Sequence, residues 1–126
     1  MLPACREYGL GLIPWSPLAG GLLAGKTGDN HGRRQAEGMQ SALRERAEQL
    51  DKFHALCANL EQTTSCIALA WLLHQPGVAA TIIGPGSVGQ LESVLHVPEI
   101  QLSTATLGQI DEIFPPCGEA PEAYAW

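Results

Sequence analysis

The sequence predicts an α/β protein built from parallel β/α units, and three observations carry that prediction. GLGLIPW at residues 9–15 is a short apolar run; VAATIIG at 78–84 is a second, continuous and β-branched. Between them, residues 41 to 61 and 64 to 75 carry helical patterns. Each apolar run leads into a glycine-rich turn. Strand, helix pair, strand and helix in that order imply right-handed crossovers that lay helices over a sheet.

Each element has its own signal. Residues 3 to 8 read as the end of a helix closed by Gly9, because glycine enters the left-handed region without steric cost. SPLAGGLLAGKTGDNHGRR is a long glycine-rich connection. In 41 to 61, Leu43, Ala47, Leu50, Phe53, Cys57 and Leu60 recur at three- and four-residue steps with charges between them, the mark of an amphipathic helix. Thr64 or Ser65 is placed to cap a second helix, CIALAWLLHQ, apolar nearly all round and stopped by Pro76 and Gly77. VAATIIG has the pattern of a strand buried on both faces. SVGQLESVL reads as a third helix, Ser103 caps a fourth running through Phe114, and residues 115–126 form a coil tail. Two parallel strands leave sheet edges open, so the chain reads as part of a larger sheet.

Composition narrows the function classes. The 126 residues suit one domain, with 45% hydrophobic and 16% charged side chains. A net charge of -6 argues against tracking nucleic-acid phosphates. Glu7 and two prolines interrupt any leader-like start, and Pro14 and Pro17 break the only candidate membrane stretch, so the expectation is a cytoplasmic protein. Cys5, Cys57, Cys66 and Cys117 lack C-x-x-C spacing, and His31, His54, His74 and His96 are scattered; reduced thiols and no metal site are expected. His54 and Cys57 share a helix face, where packing explains them better than ligation.

Two glycine patterns compete as phosphate sites. Gly20 to Thr27, GGLLAGKT, matches the phosphate-loop expression, but GDNHGRR after it cannot open a helix, and no strand ends in a magnesium-binding Asp. Gly84, Gly86 and Gly89 satisfy G-x-G-x-x-G after a strand and before a helix, the context that motif needs. The acidic residue on a following strand is missing. What survives is a tight βα turn whose helix start near Ser87 offers N–H groups to a phosphate. On these residues alone, a purely structural turn explains the glycines equally well.

LPACREYGLGLIPWSPLAGGLLAGK, ALAWLLHQPGVAATIIGPGSVGQLE and LSTATLGQIDEIFP together resemble the C-terminal portion of an aldo-keto reductase, in the branch with general stress proteins and potassium-channel β subunits. The resemblance implies strands seven and eight of a (β/α)₈ TIM barrel, incomplete as a barrel, with NADP(H) held at the C-terminal ends of the strands. By that likeness residues 1–126 are one cofactor-binding portion. Trp15 takes the position that stacks on the nicotinamide, Ser16, Pro17 and Leu18 pass over the pyrophosphate, and Gly20, Leu22 and Lys26 continue that loop. Gly84 and Ser87 sit where the adenosine 2'-phosphate is held, and Gln90 where a polar adenosine contact is common. Gly86 stands in place of a phosphate-gripping Arg or Lys, and Ser93 and Val94 in place of adenine contacts, which implies a weakened adenosine end. The family's Tyr, Lys, Asp and His precede the matching segment, so no catalytic residue is assigned; Tyr8 and Tyr124 are read as structural. The partners implied are the nicotinamide cofactor and either the N-terminal part of the barrel or a second copy. A non-catalytic interaction subunit, like the channel β subunits, and a truncated gene product are the alternatives.

Overall fold

The computed structural model describes residues 2–25 and 37–116. Among the described residues six helices run in order: α1 (Leu2–Glu7), α2 (Glu37–Glu45), α3 (Ala47–Asn59), α4 (Thr64–Leu73), α5 (Val88–Glu92) and α6 (Thr104–Ile113), with 3₁₀ turns at Ala19–Gly21 and Val97–Glu99.

Capping decides where most of them start and stop. Gly9 has φ 64 just past α1, where its N–H donates to the Arg6 carbonyl at 3.3 Å and the Leu10 N–H to the Cys5 carbonyl at 2.8 Å. These bonds satisfy carbonyls that a helix end leaves open, as the expected glycine stop requires. The Ser103 hydroxyl accepts from the Thr106 N–H at 3.1 Å and opens α6, also as expected. At α4 the cap is Thr63, one residue before the two expected, and its hydroxyl accepts from the Cys66 N–H at 3.2 Å. Glu61 explains the shift. It closes α3 at φ 54, with the Gln62 N–H bonded back to the Cys57 carbonyl, so the chain is extended again by Thr63 and the helix can begin at Thr64.

The single helix expected over 41 to 61 is two, α2 and α3, kinked at Arg46 with φ -108. Backbone bonds still span the kink, from the Arg46 N–H to the Ala42 carbonyl and from the Leu50 N–H to the Arg46 carbonyl. The helix expected over 87–95 is helical only to Glu92, after which Val94 and Leu95 donate in tight turns.

Neither expected strand forms a ladder among the described residues. What forms is two isolated parallel bridges, Leu12 to Val78 and Trp15 to Ile82. The direction and adjacency match the expectation, whereas the length does not. The Leu12 N–H donates to the Gly77 carbonyl at 2.7 Å and the Ala79 N–H to the Leu12 carbonyl at 2.9 Å. The next rung needs an N–H from residue 14, which is proline and has none. Pairing resumes one residue late, with the Ile82 N–H on the Pro14 carbonyl at 2.9 Å, so three steps on one segment face four on the other. VAATIIG is moreover not buried on both faces, since Ile82 and Ile83 are exposed.

The core lies among the helices. α4 is its axis: Ile67 and Ala68 pack with Phe53 and Cys57 of α3 and Ile110 of α6, while Cys66, Leu69 and Ala70 pack with Val97. That double burial is why α4 is apolar nearly all round. Leu18, Ile100 and Leu102 touch both clusters and join them. Phe53 and Phe114 meet edge to face at 5.6 Å, and Gln49 of α3 donates to the Ile113 carbonyl at 2.8 Å, tying α3 to the end of α6. His74 closes another span. Its Nε2 accepts from the Leu102 N–H at 3.3 Å, so Nδ1 carries the proton that it donates to the Ala70 carbonyl at 2.8 Å.

Candidate functional site

Both bridged segments run the same way, so the turns that follow them leave from one end of the pair. Ser16 to Gly21 follows Trp15, and Gly84 to Ser87 follows Ile82. Parallel pairing thus brings together two turns some seventy positions apart in sequence.

The first turn is strained and pinned. Ser16 and Ala19 have φ 54 and 50, conformations that cost a residue bearing a Cβ roughly 1–2 kcal/mol each. Gly20 and Gly21, at φ 67 and 110, take the same sign without that cost. The Ser16 hydroxyl accepts from the Gly20 N–H at 3.3 Å, and the Ser16 carbonyl from the Ala19 N–H at 3.0 Å. Leu18 and Leu23 sink into the core, with the Leu23 N–H on the Leu18 carbonyl. Pro17 and Leu22 are half-buried beside them. At the end of the loop, Gly25 has φ 77, and a Cβ there would stand 2.8 Å from the Thr64 hydroxyl, so only glycine seats the loop against α4. Trp15, before the turn, is 78% exposed. Strain maintained by anchored neighbours around an exposed aromatic ring is a pattern of binding sites. Lys26, His31, Arg33 and Arg34 lie outside the described residues.

The second turn is held by Ser87 and Gln90. The Ser87 hydroxyl accepts from the Gln90 N–H at 3.2 Å, the Gln90 side-chain oxygen accepts from the Gly86 N–H at 2.7 Å, and the Ser93 hydroxyl donates to the Gln90 carbonyl at 2.8 Å. Ser-x-x-Gln is a capping signature that was legible in the sequence, with Gln90 reaching one residue further back than usual. The oxygen of Gln90 is therefore committed to the backbone. Gly84 has open space on its Cβ side; a Cβ at Gly86 would meet that oxygen at 3.5 Å, an ordinary contact.

Charge is absent from both turns. No Asp, Glu, Lys, Arg or His occurs from Tyr8 to Gly25 or from Gln75 to Leu91. The pair supplies apolar surface, hydroxyls and backbone N–H groups, chemistry suited to a ring and to uncharged polar contacts.

The other candidates are structural. Cys5, Cys57 and Cys66 are free and buried; burial, helped by the nearby Cys66, pushes the Cys57 thiol up to about 12, which leaves it an inert core group. The Cys66 thiol donates to the Ser93 carbonyl at 3.3 Å. His54 Nδ1 is buried without a partner, and among the described residues no three His, Cys, Asp or Glu side chains gather as a metal set. Tyr8 stands 76% exposed after α1; Cys117 and Tyr124 lie outside the described residues. None of the helices described is long and apolar enough to cross a membrane.

Residues 1–114 match the model of the aldo/keto reductase family. An uncharacterized oxidoreductase of Bacillus subtilis is 47% identical over 100% of this chain and 39% of its own length. A Schizosaccharomyces pombe protein named for a voltage-gated potassium channel β subunit is 37% identical over 90% of this chain and 36% of its own, and a Glycine max protein named as an aldo-keto reductase 32% identical over 91% and 35%. The chain thus spans less than two-fifths of the length of these relatives.

Proposed function

The chain belongs to the aldo/keto reductase family, and from that premise we propose that it forms the cofactor side of an NADP(H)-dependent carbonyl reductase. In this reading residues 1–114 are one cytoplasmic unit that completes a (β/α)₈ barrel with further β/α units, and 115–126 are a tail. The observation that carries it is the parallel bridge from Trp15 to Ile82, which sets an exposed indole and two pinned turns at the C-terminal end of a strand pair, where such barrels bind ligands.

When bound, the cofactor supplies the hydride. The indole of Trp15 stacks on the nicotinamide. Ser16, Pro17, Leu18, Gly20 and Leu22, with Lys26, carry the loop past the pyrophosphate. Gly84, Gly86 and Ser87 receive the adenosine end, with Gln90 fixing the turn through its oxygen and its amide N–H serving as the polar contact. Carbonyl reduction also needs an acid beside the forming alkoxide. No such residue is assigned here, so residues 1–126 bind the cofactor without turning it over. A second reading, a non-catalytic interaction subunit, is favoured by the relative named for a channel β subunit.

Calorimetric titration of the full chain with NADPH, followed by an aldehyde, separates these readings. One saturable site with no NADPH consumption is the expected result. Absence of binding by helical protein discards the cofactor reading, and turnover abolished by a substitution in this chain discards the cofactor-only role.

A further inference from the structure

The ring of His74 is held from two sides. Its Nδ1 donates to the Ala70 carbonyl of α4 at 2.8 Å, and its Nε2 accepts at 3.3 Å from the N–H of Leu102, 28 positions along the chain. Only a neutral imidazole with its proton on Nδ1 makes both bonds. Leu102 packs against both apolar clusters of the core and stands just before the Ser103 cap of α6. The ring therefore ties the end of α4 to the residue that joins the two clusters.

An added proton has one place to go. Taken up by Nε2, it turns both ring nitrogens into donors, and the Leu102 N–H then faces an N–H instead of a lone pair. The other bond survives, because Nδ1 keeps its proton and a cation is favoured beside the carbonyls that end a helix. Protonation severs one contact and keeps its neighbour.

Nothing charged near the ring competes with that effect. α4 packs on α3 and on the Val97–Glu99 turn. α3 brings Glu48 and Lys52, which pair with each other, exposed Asp51, and His54. The turn brings Glu99, exposed, and His96 before it, which donates to the Gln62 oxygen at 3.0 Å, a bond that both its protonation states can make. α6 adds Asp111 and Glu112, both exposed, and α4 itself only Cys66. Among the described residues no carboxylate pairs with the His74 ring.

We propose that His74 is an acid-sensitive latch: proton uptake at Nε2 releases the Leu102 N–H and loosens residues 100–103 from α4, while the end of α4 stays formed. The device lies within the chain and depends neither on the cofactor reading nor on what completes the barrel.

Amide exchange of the full chain at about pH 7.5 and about pH 5, each rate taken relative to that of the unstructured amide at the same pH, reads the latch. An imidazole ordinarily titrates at about 6.5, so this interval crosses its ionisation while most carboxylates stay charged. Protection of the Leu102 N–H should fall about fivefold or more in acid, the worth of one net hydrogen bond. The Thr106 N–H, held by the Ser103 hydroxyl, should keep its protection and serves as the internal reference. His74→Gln carries a side-chain oxygen to the Nε2 position without a titrating group, and should hold Leu102 equally at both pH values. Nitrogen resonances of the unsubstituted ring give a reading that no substitution disturbs, with Nδ1 protonated and Nε2 bare at about pH 7.5. A Leu102 amide unprotected at neutral pH, protection indifferent to acid, equal loss at Thr106, the same acid loss in helical His74→Gln, or a neutral ring carrying its proton on Nε2 overturns the latch.

Discussion

Trp15 and Ile82 are paired across a parallel bridge with both side chains more exposed than buried. A bridge of this kind is ordinarily part of a covered sheet, and here it holds an indole at the end of two segments without covering it. The Ile82 N–H on the Pro14 carbonyl fixes the register beside it, so the turn after Trp15 and the turn after Ile82 start level with each other.

The neutral second turn leaves room for a test by added charge. Gly86 has no positive φ, and a Cβ there meets only the Gln90 side chain at 3.5 Å, so Gly86→Arg should fold normally. An Arg fork pairs with a phosphate ester and gains little from a ribose hydroxyl. NADPH affinity should rise about tenfold or more, with NADH changed far less, in parallel titrations. An equal gain for both would place the adenosine end elsewhere.

The clamp on that turn predicts a split between two residues. Ser87→Ala removes the cap of α5 and should cost about 1 kcal/mol, read as faster amide exchange over residues 86–92. Gln90→Glu keeps an acceptor for the Gly86 N–H and should leave exchange near parental, whereas Gln90→Ala should not. Equal exchange in Gln90→Ala and the parent would show that the carboxamide does not hold the turn.

Much of the helical core was legible because its signals are local. Gly9 as a stop, Ser103 as a cap and the all-round apolar α4 each follow from a few neighbouring residues, and each stands where expected. The failures were set by non-local or competing geometry. Pro14 was visible inside the first strand, but its effect, a ladder broken into two bridges, depends on which residue of the other segment faces it. The Thr63 cap depends on Glu61 adopting a left-handed conformation that its type does not favour. Apart from its proposed ligand contact, Gln90 bonds its side-chain oxygen to the Gly86 N–H, a role that its spacing to Ser87 already allowed. The assignment of Lys26 lies outside the described residues.

Burial of Cys57 makes stability pH-dependent on the alkaline side. Its thiol ionises near 9.0 when unfolded and is pushed up to about 12 in the fold, chiefly by burial. Below pH 9 both states hold the proton and the group contributes no slope. Between about 9 and 12 only the unfolded state loses it, so stability should fall with rising pH by up to about 1.4 kcal/mol per unit. Cys57→Ala should flatten that slope while lowering stability at neutral pH through the cavity it leaves between α3 and α4. An unchanged alkaline slope in urea unfolding would mean that Cys57 is not its source.

The indole itself gives the most direct test of the assignment of this strand end to a nicotinamide. Trp15 is exposed, whereas Trp71 is half-buried against the α3–α4–α6 core, so the two can be separated by substitution. NADPH added to the full chain should quench tryptophan fluorescence saturably; Trp15→Ala should abolish the quenching, and Trp71→Phe should preserve it while lowering the unfolding midpoint. Saturable quenching that survives in Trp15→Ala, or none in helical parental protein, would contradict the placement of the nicotinamide on Trp15.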